Sequence, residues 1–213
     1  MAMRIRIAFD KTEAMRYTGH LDLHRAWERT FRRAGLPLAY SQGFHPQPKL
    51  NLACALPLGF TSECELIDAW LDAILSLDEV QGALTGVLPP GIRIHNIEAI
   101  DLKAPALQTQ VQSAKYWVTL LDPLPDLDAR LIHIVSAASL LRQRRGKSYD
   151  LRPLIEAIRR LPDSTDELPR LEMRLAARES ATGRPEEVLA ELGVAIEAAR
   201  VHRVQLHYQE KAP

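Results

Sequence analysis

The chain has 213 residues, 46% hydrophobic and 25% charged, enough for one large core or two cores of about 100 residues each. Lysine plus arginine and aspartate plus glutamate both number 27, so no global field draws the chain to nucleic acid or a charged bilayer. No apolar run of about 18 residues exists, and residues 1–9 lack a signal-peptide core, so a cytoplasmic location with no membrane contact is expected.

Residues 4–9 (Arg-Ile-Arg-Ile-Ala-Phe) alternate charged and apolar side chains, as a half-buried strand does. Residues 20–34 read as a helix. Leu23, Trp27, Thr30, Phe31 and Ala34 make one face, and Arg25, Arg29, Arg32 and Arg33 another. Thr18 or Gly19 is the expected cap, Asp22 suits the positive first turn, and Gly35 suits a left-handed exit.

A proline-stiffened loop then leads to a strand over 50–56, a turn over 57–62 and a strand over 64–71. A helix over 77–88, ended by Pro89-Pro90-Gly91, precedes a strand over 92–97. Residues 103–112 carry no clear periodicity and read as a linker between domains at 1–102 and 113–213. Beyond them the same order recurs: strand 116–121, helix 127–141, strand 171–175, helix 186–192 and strand 201–208. Residues 149–161 stay ambiguous, because Leu151, Leu154, Ile155 and Ile158 permit a helix while the repeat requires a strand. The fold class expected is α+β, with two tandem ferredoxin-like (βαββαβ) domains and antiparallel sheets.

The charge is locally uneven. Up to residue 49, the basic residues Arg4, Arg6, Lys11, Arg16, Arg25, Arg29, Arg32, Arg33 and Lys49 face only Asp10, Glu13, Asp22 and Glu28. Arg142, Arg144, Arg145, Lys147 and Arg152 form a second cluster, which could contact phosphate or simply be a solvated loop. Acidic residues gather at 63–72 and 163–167. The arginine face of the first helix could grip phosphate oxygens in paired hydrogen bonds. It could equally be a solvated face, with Glu28 pairing to Arg25 and Arg32.

The adjoining loop, Ser41-Gln-Gly-Phe-His-Pro-Gln-Pro48, adds to the binding reading. Gly43 permits close backbone approach, and Tyr40 and Phe44 could stack on bases or instead plug the core. The surface for a substrate or RNA thus comprises Arg25, Arg29, Arg32, Arg33, Tyr40, Ser41, Gly43, Phe44, His45 and Lys49. His45 is the best candidate for proton transfer. His20 and His24 stand four apart, a spacing able to place two imidazoles on one metal, but neither an HExxH pattern nor a cysteine pair accompanies them, so no metal site is expected. Cys54 and Cys64, both in apolar sequence, suit buried free thiols, and two cysteines cannot supply the triplet that holds an iron–sulfur cluster. No cofactor motif is present.

Three runs carry a resemblance: Gly19-His-Leu-Asp-Leu-His24, residues 32–46 (Arg-Arg-Ala-Gly-Leu-Pro-Leu-Ala-Tyr-Ser-Gln-Gly-Phe-His-Pro), and Ala55-Leu-Pro-Leu-Gly59. In these, the chain resembles the radical SAM-linked protein family, whose domain occurs alone or fused behind radical SAM proteins. The resemblance implies a radical SAM protein as partner and an accessory, non-catalytic role, with RNA as a candidate substrate to be presented. Tandem ferredoxin-like domains with a basic loop also resemble the repeat-associated RNA endonucleases of CRISPR systems. That likeness implies His45 or His20 as a general base. A plain RNA-binding module is the third expectation.

Overall fold

Strand β1 (Met3–Lys11) puts Ile5, Ile7 and Phe9 on one face of its sheet and Arg4, Arg6 and Asp10 on the other, as a period of two requires. The computed structural model describes residues 2–144, 146–178 and 180–209. It has a mixed α+β architecture with mostly antiparallel strands, divided after Gln110 into two units.

In the first unit, β1 pairs antiparallel with β3 (Thr61–Leu71) and with β4 (Ile92–Ile100), while β2 (Leu50–Leu52) pairs antiparallel with β3. The strand order is therefore β4-β1-β3-β2. Helices α1 (His20–Arg33) and α2 (Leu77–Thr85) fill the two long connections. Both helices share one core with the apolar face of the sheet: Leu23, Trp27 and Phe31 from α1 and Val80 and Leu84 from α2 meet Ile5, Ile7, Phe9 and Ile67. Trp27 stands edge-on to Phe9, with ring centroids 4.9 Å apart. Each such side chain, fully buried, contributes about 1.5–3 kcal/mol. Gly19 caps α1 without a side-chain bond, and the chain leaves through Gly35 at φ 67°, a left-handed exit that costs glycine little. Ser76 and Glu79 form a reciprocal capping box at α2.

The opposite face of this sheet is polar, and it is covered around Arg4 and Asp68. Asp68 on β3 is fully buried and takes Arg4 Nη2 at 2.6 Å and Arg6 Nε at 2.8 Å. Arg4 has donors to spare, and they reach the carbonyls of Ala104 at 2.6 Å and Pro105 at 2.9 Å. The segment read as a linker is thus held against the first unit. It forms helix α3 (Leu107–Gln110) with Leu107 fully buried, and the next strand begins at residue 111. Aperiodic sequence here reflects irregular backbone satisfied by a side chain rather than a free tether.

In the second unit, β5 (Val111–Leu120) lies between β9 (Arg170–Arg178) and β11 (Ala199–Tyr208), and β8 (Ile155–Leu161) pairs with β9, all antiparallel. The order is β11-β5-β9-β8. Helix α4 (Leu127–Ser136) follows β5, and α5 (Pro185–Glu191) precedes β11. The helix expected over 127–141 stops at Ser136. The chain then forms a hairpin of β6 (Leu141–Arg144) and β7 (Lys147–Asp150), and the two-residue β10 (Ala181–Thr182) pairs with β9.

Residues 155–161 settle as strand. A register shift between Ile155 and Ala157 sets Ile155 opposite Leu175 and Ile158 opposite Met173, so a three-residue spacing that mimics a helix falls on one face of a sheet. Cys54 and Cys64 are free and half-buried rather than fully enclosed.

Replacing Asp68 with Asn leaves Arg4 buried without its counter-charge, so unfolding free energy should fall by about 3–5 kcal/mol. Urea denaturation monitored by circular dichroism measures the loss; a change below about 1 kcal/mol, the size of an ordinary surface substitution, contradicts the role given to this carboxylate.

Candidate nucleic-acid interface

Helix α1 buries the side chains that follow its apolar stripe and leaves Arg25, Arg29, Arg32 and Arg33 exposed on the outer face. Arg25, Arg29 and Arg32 rise along one stripe at about 1.5 Å per residue, and Arg33 flanks it. Arg25 pairs with Asp22 at 3.3 Å, an exposed contact of little energetic weight. The pairs expected from Glu28 do not form. Among the described residues Arg29, Arg32 and Arg33 have no hydrogen-bond or ion-pair partner, so their donors face solvent. Arg32 and Arg33 also lie in the last turn, where cations complement the negative end of the helix.

The loop is pinched at its base by backbone bonds. Lys49 N donates to Ala39 O at 2.8 Å, Ala39 N to Trp70 O at 2.7 Å, and Trp70 N to Lys49 O at 3.1 Å. Tyr40 bridges to Pro48. Inside, Ser41 N donates to Gln47 O at 2.8 Å, and Ser41 Oγ accepts from Gln47 N at 2.9 Å. Gly43 at φ 130° makes the bend, with open space where a Cβ would lie, so the backbone angle rather than crowding demands glycine. Phe44 projects fully into solvent and plugs no core; Tyr40 is 39% exposed. His45 and Lys49 are exposed as well. The His45 imidazole has no hydrogen-bond partner among the described residues.

Two groups of the expected site residues therefore exist: the arginines on α1, and Tyr40, Ser41, Gly43, Phe44, His45 and Lys49 on the loop. His24 Nε2 lies 3.4 Å from Leu50 O, which ties α1 to the strand that follows the loop. No hydrogen bond or ion pair among the described residues joins the loop to the arginines. Nor does any group of three histidine, cysteine or acidic side chains able to hold a metal form among them.

The remaining basic residues of the first 49 are internal. Arg4 and Arg6 serve Asp68, Lys11 Nζ donates to Phe60 O at 2.8 Å, and Arg16 Nε donates to Gly59 O at 2.8 Å. The second basic cluster is dispersed. Arg142 pairs with Glu187 and Glu191, Arg152 donates to Ile155 O at 3.0 Å, and Arg144 and Lys147 are exposed. Arg145 lies outside the described residues. One pairing had no sequence signal: His95 Nε2 meets Asp10 Oδ1 at 2.5 Å across β1 and β4. A register shift between Ala8 and Phe9 places His95 there as the extra residue of β4.

The fold is a mixed α+β one that displays an exposed cationic helix followed by an aromatic-tipped loop. The chain belongs to a bacterial family described as "Uncharacterized protein conserved in bacteria (DUF2344)", which matches residues 4–185. No curated protein matches it. Among solved structures it is similar to a chain of a Cbf5-Nop10-Gar1 complex, at 12% identity and a TM-score of 0.48, covering 97% of this chain and 50% of that one. It is similar also to a chain of an archaeal box H/ACA sRNP Nop10-Cbf5 complex, at 11% identity and a TM-score of 0.43, covering 97% and 49%. The chain spans about half the length of these structures. Among the described residues no helix is long and apolar enough to cross a membrane.

Ser41→Ala removes the acceptor of the Gln47 amide inside an exposed loop. Hydrogen exchange at Gln47 should accelerate several-fold while global stability moves by less than about 1 kcal/mol. Unchanged exchange would mean that the loop is not closed by this hydroxyl.

Proposed function

We propose that this chain is a cytoplasmic, non-catalytic accessory protein of a radical SAM enzyme, and that it presents an RNA substrate through the outer face of α1 and the loop that follows. Each unit is read as ferredoxin-like. The strand orders β4-β1-β3-β2 and β11-β5-β9-β8, with helices in both long connections, support that reading.

One observation carries the RNA assignment: Arg29, Arg32 and Arg33 keep their donors unspent beside a loop that projects Phe44 into water. An unpaired guanidinium matches two phosphate oxygens at once. An exposed phenyl ring gains nothing for folding, yet stacking on a base is worth about 1–3 kcal/mol. Cations with aromatics recognise single-stranded RNA in this way, without reading sequence. The radical SAM partner rests on the resemblance carried by residues 19–24, 32–46 and 55–59. With only Cys54 and Cys64 available, the cluster belongs to that partner. The endonuclease reading has less support, because His45 lacks the orienting partner that a general base uses.

Fluorescence anisotropy with a labelled single-stranded RNA tests the surface. Wild-type affinity should fall with a slope of about −2 to −3 in log K against log salt, as three or four phosphate contacts require. Arg29→Glu combined with Arg33→Glu should weaken binding at least about tenfold and flatten that slope. Phe44→Ala should weaken binding by about 1–3 kcal/mol with the slope unchanged. An affinity indifferent to the paired charge reversal removes the helix from the function. Failure to capture the cognate radical SAM protein under anaerobic, cofactor-loaded conditions removes the partner.

A further inference from the structure

The second unit contains a cavity that the RNA surface does not use. Its volume is about 430 Å³, within the size range of small-molecule sites. Arg144, Tyr149 and Asp150 from the β6–β7 hairpin line one side, and Ser180, Thr182 and Arg184 from the β10 segment line the other. Gly183 lets that segment lie close. A Cβ there would sit 2.8 Å from Leu154 O and 3.1 Å from Leu175 Cβ, so any side chain would push the wall outward.

The polar groups of this cavity are unevenly satisfied. Arg144 is exposed with no partner among the described residues. Arg184 is held loosely by Glu186 at 3.5 Å, and its Nε is buried with no hydrogen-bond partner among the described residues. Arg144 thus brings an unpaired guanidinium to the cavity, and Arg184 one that is loosely paired with Glu186. Burial pushes the Tyr149 phenol up, so it stays protonated and able to donate. The Thr182 hydroxyl already donates to Arg178 O at 2.9 Å, so towards the cavity it can only accept. Asp150 adds a carboxylate to the same lining. Its Oδ1 accepts from Leu140 N at 2.8 Å and from Arg152 N at 2.9 Å, which holds its carboxyl below the usual range and fixes the hairpin's exit.

From this arrangement we propose that the cavity binds a small organic phosphate monoester bearing hydroxyl groups. Arg144 and Arg184 take the phosphate, Tyr149 and Ser180 donate to it or to a neighbouring oxygen, and Thr182 accepts from a ligand hydroxyl. A free phosphate is too small to fill the volume. A sugar phosphate or mononucleotide supplies both the anion and the hydroxyls. The site lies wholly in the second unit and does not depend on the arginines of α1.

Isothermal titration calorimetry with AMP, ribose 5-phosphate, adenosine and inorganic phosphate tests the assignment. AMP or ribose 5-phosphate should bind at least tenfold more tightly than adenosine or inorganic phosphate. Arg144→Gln should weaken that binding at least tenfold. Arg144 has no partner to lose, and the variant's thermal unfolding checks that it folds. Arg184→Gln should weaken it similarly, and Tyr149→Phe severalfold. Arg29→Glu with Arg33→Glu should leave it unchanged, which separates this site from the RNA surface. Absence of binding by both organic phosphates at millimolar concentration overturns the proposal. So does equal affinity for inorganic phosphate, or binding that survives Arg144→Gln.

Discussion

A single carboxylate organises the first unit. Asp68, fully buried on β3, sits between the guanidinium groups of Arg4 and Arg6 on the neighbouring strand. Two cations against one anion leave excess charge and unused donors in a place where neither is tolerated alone. Arg4 resolves this by reaching the carbonyls of Ala104 and Pro105 and by lying 4.7 Å from the centre of the Trp70 ring. The stretch that carries those carbonyls is thereby drawn over the polar face of the sheet. On that face, opposite the one packed by α1 and α2, Arg4 and Asp68 become interior although both are charged, while the outer arginines of α1 stay turned to water.

That sorting of cations into structural and displayed sets was only partly legible in the residues. The apolar stripe of α1 and its glycine exit were readable because a helix repeats every 3.6 residues and a left-handed residue favours glycine. The alternation of β1 was readable too, but it could not tell Arg4, buried against Asp68, from Arg29, exposed on α1. Only the pairing register, which sets Arg6 opposite Asp68, separates them. The arginine face and Phe44 are exposed, and among the described residues Glu28 pairs with none of the arginines. Residues 103–112, read as a linker, show no period because part of that backbone is irregular and is tied down by a distant arginine. Residues 155–158 were ambiguous for the converse reason, since a bulge converts a spacing of three into one face of a strand.

The two units handle arginine differently. In the first, Arg29, Arg32 and Arg33 stand without counter-charges on a continuous helix. In the second, Arg142 is matched by Glu187 and Glu191, and Arg160 by Asp128 and Asp163. A zero net charge therefore conceals one unit with a displayed cationic stripe and another whose surface arginines are largely compensated. Arg144, Arg178 and Arg200 are exposed in the second unit without an ion pair among the described residues, and of these Arg144 lines the cavity.

The pinch at the base of the loop has a mechanical consequence. Ala39, Lys49 and Trp70 close the backbone circuit among themselves, so the sheet beneath does not register what lies between the two ends. Residues 40–48 hang from that closed base, so a side-chain substitution at the tip, such as one at Phe44, leaves the anchoring backbone bonds in place.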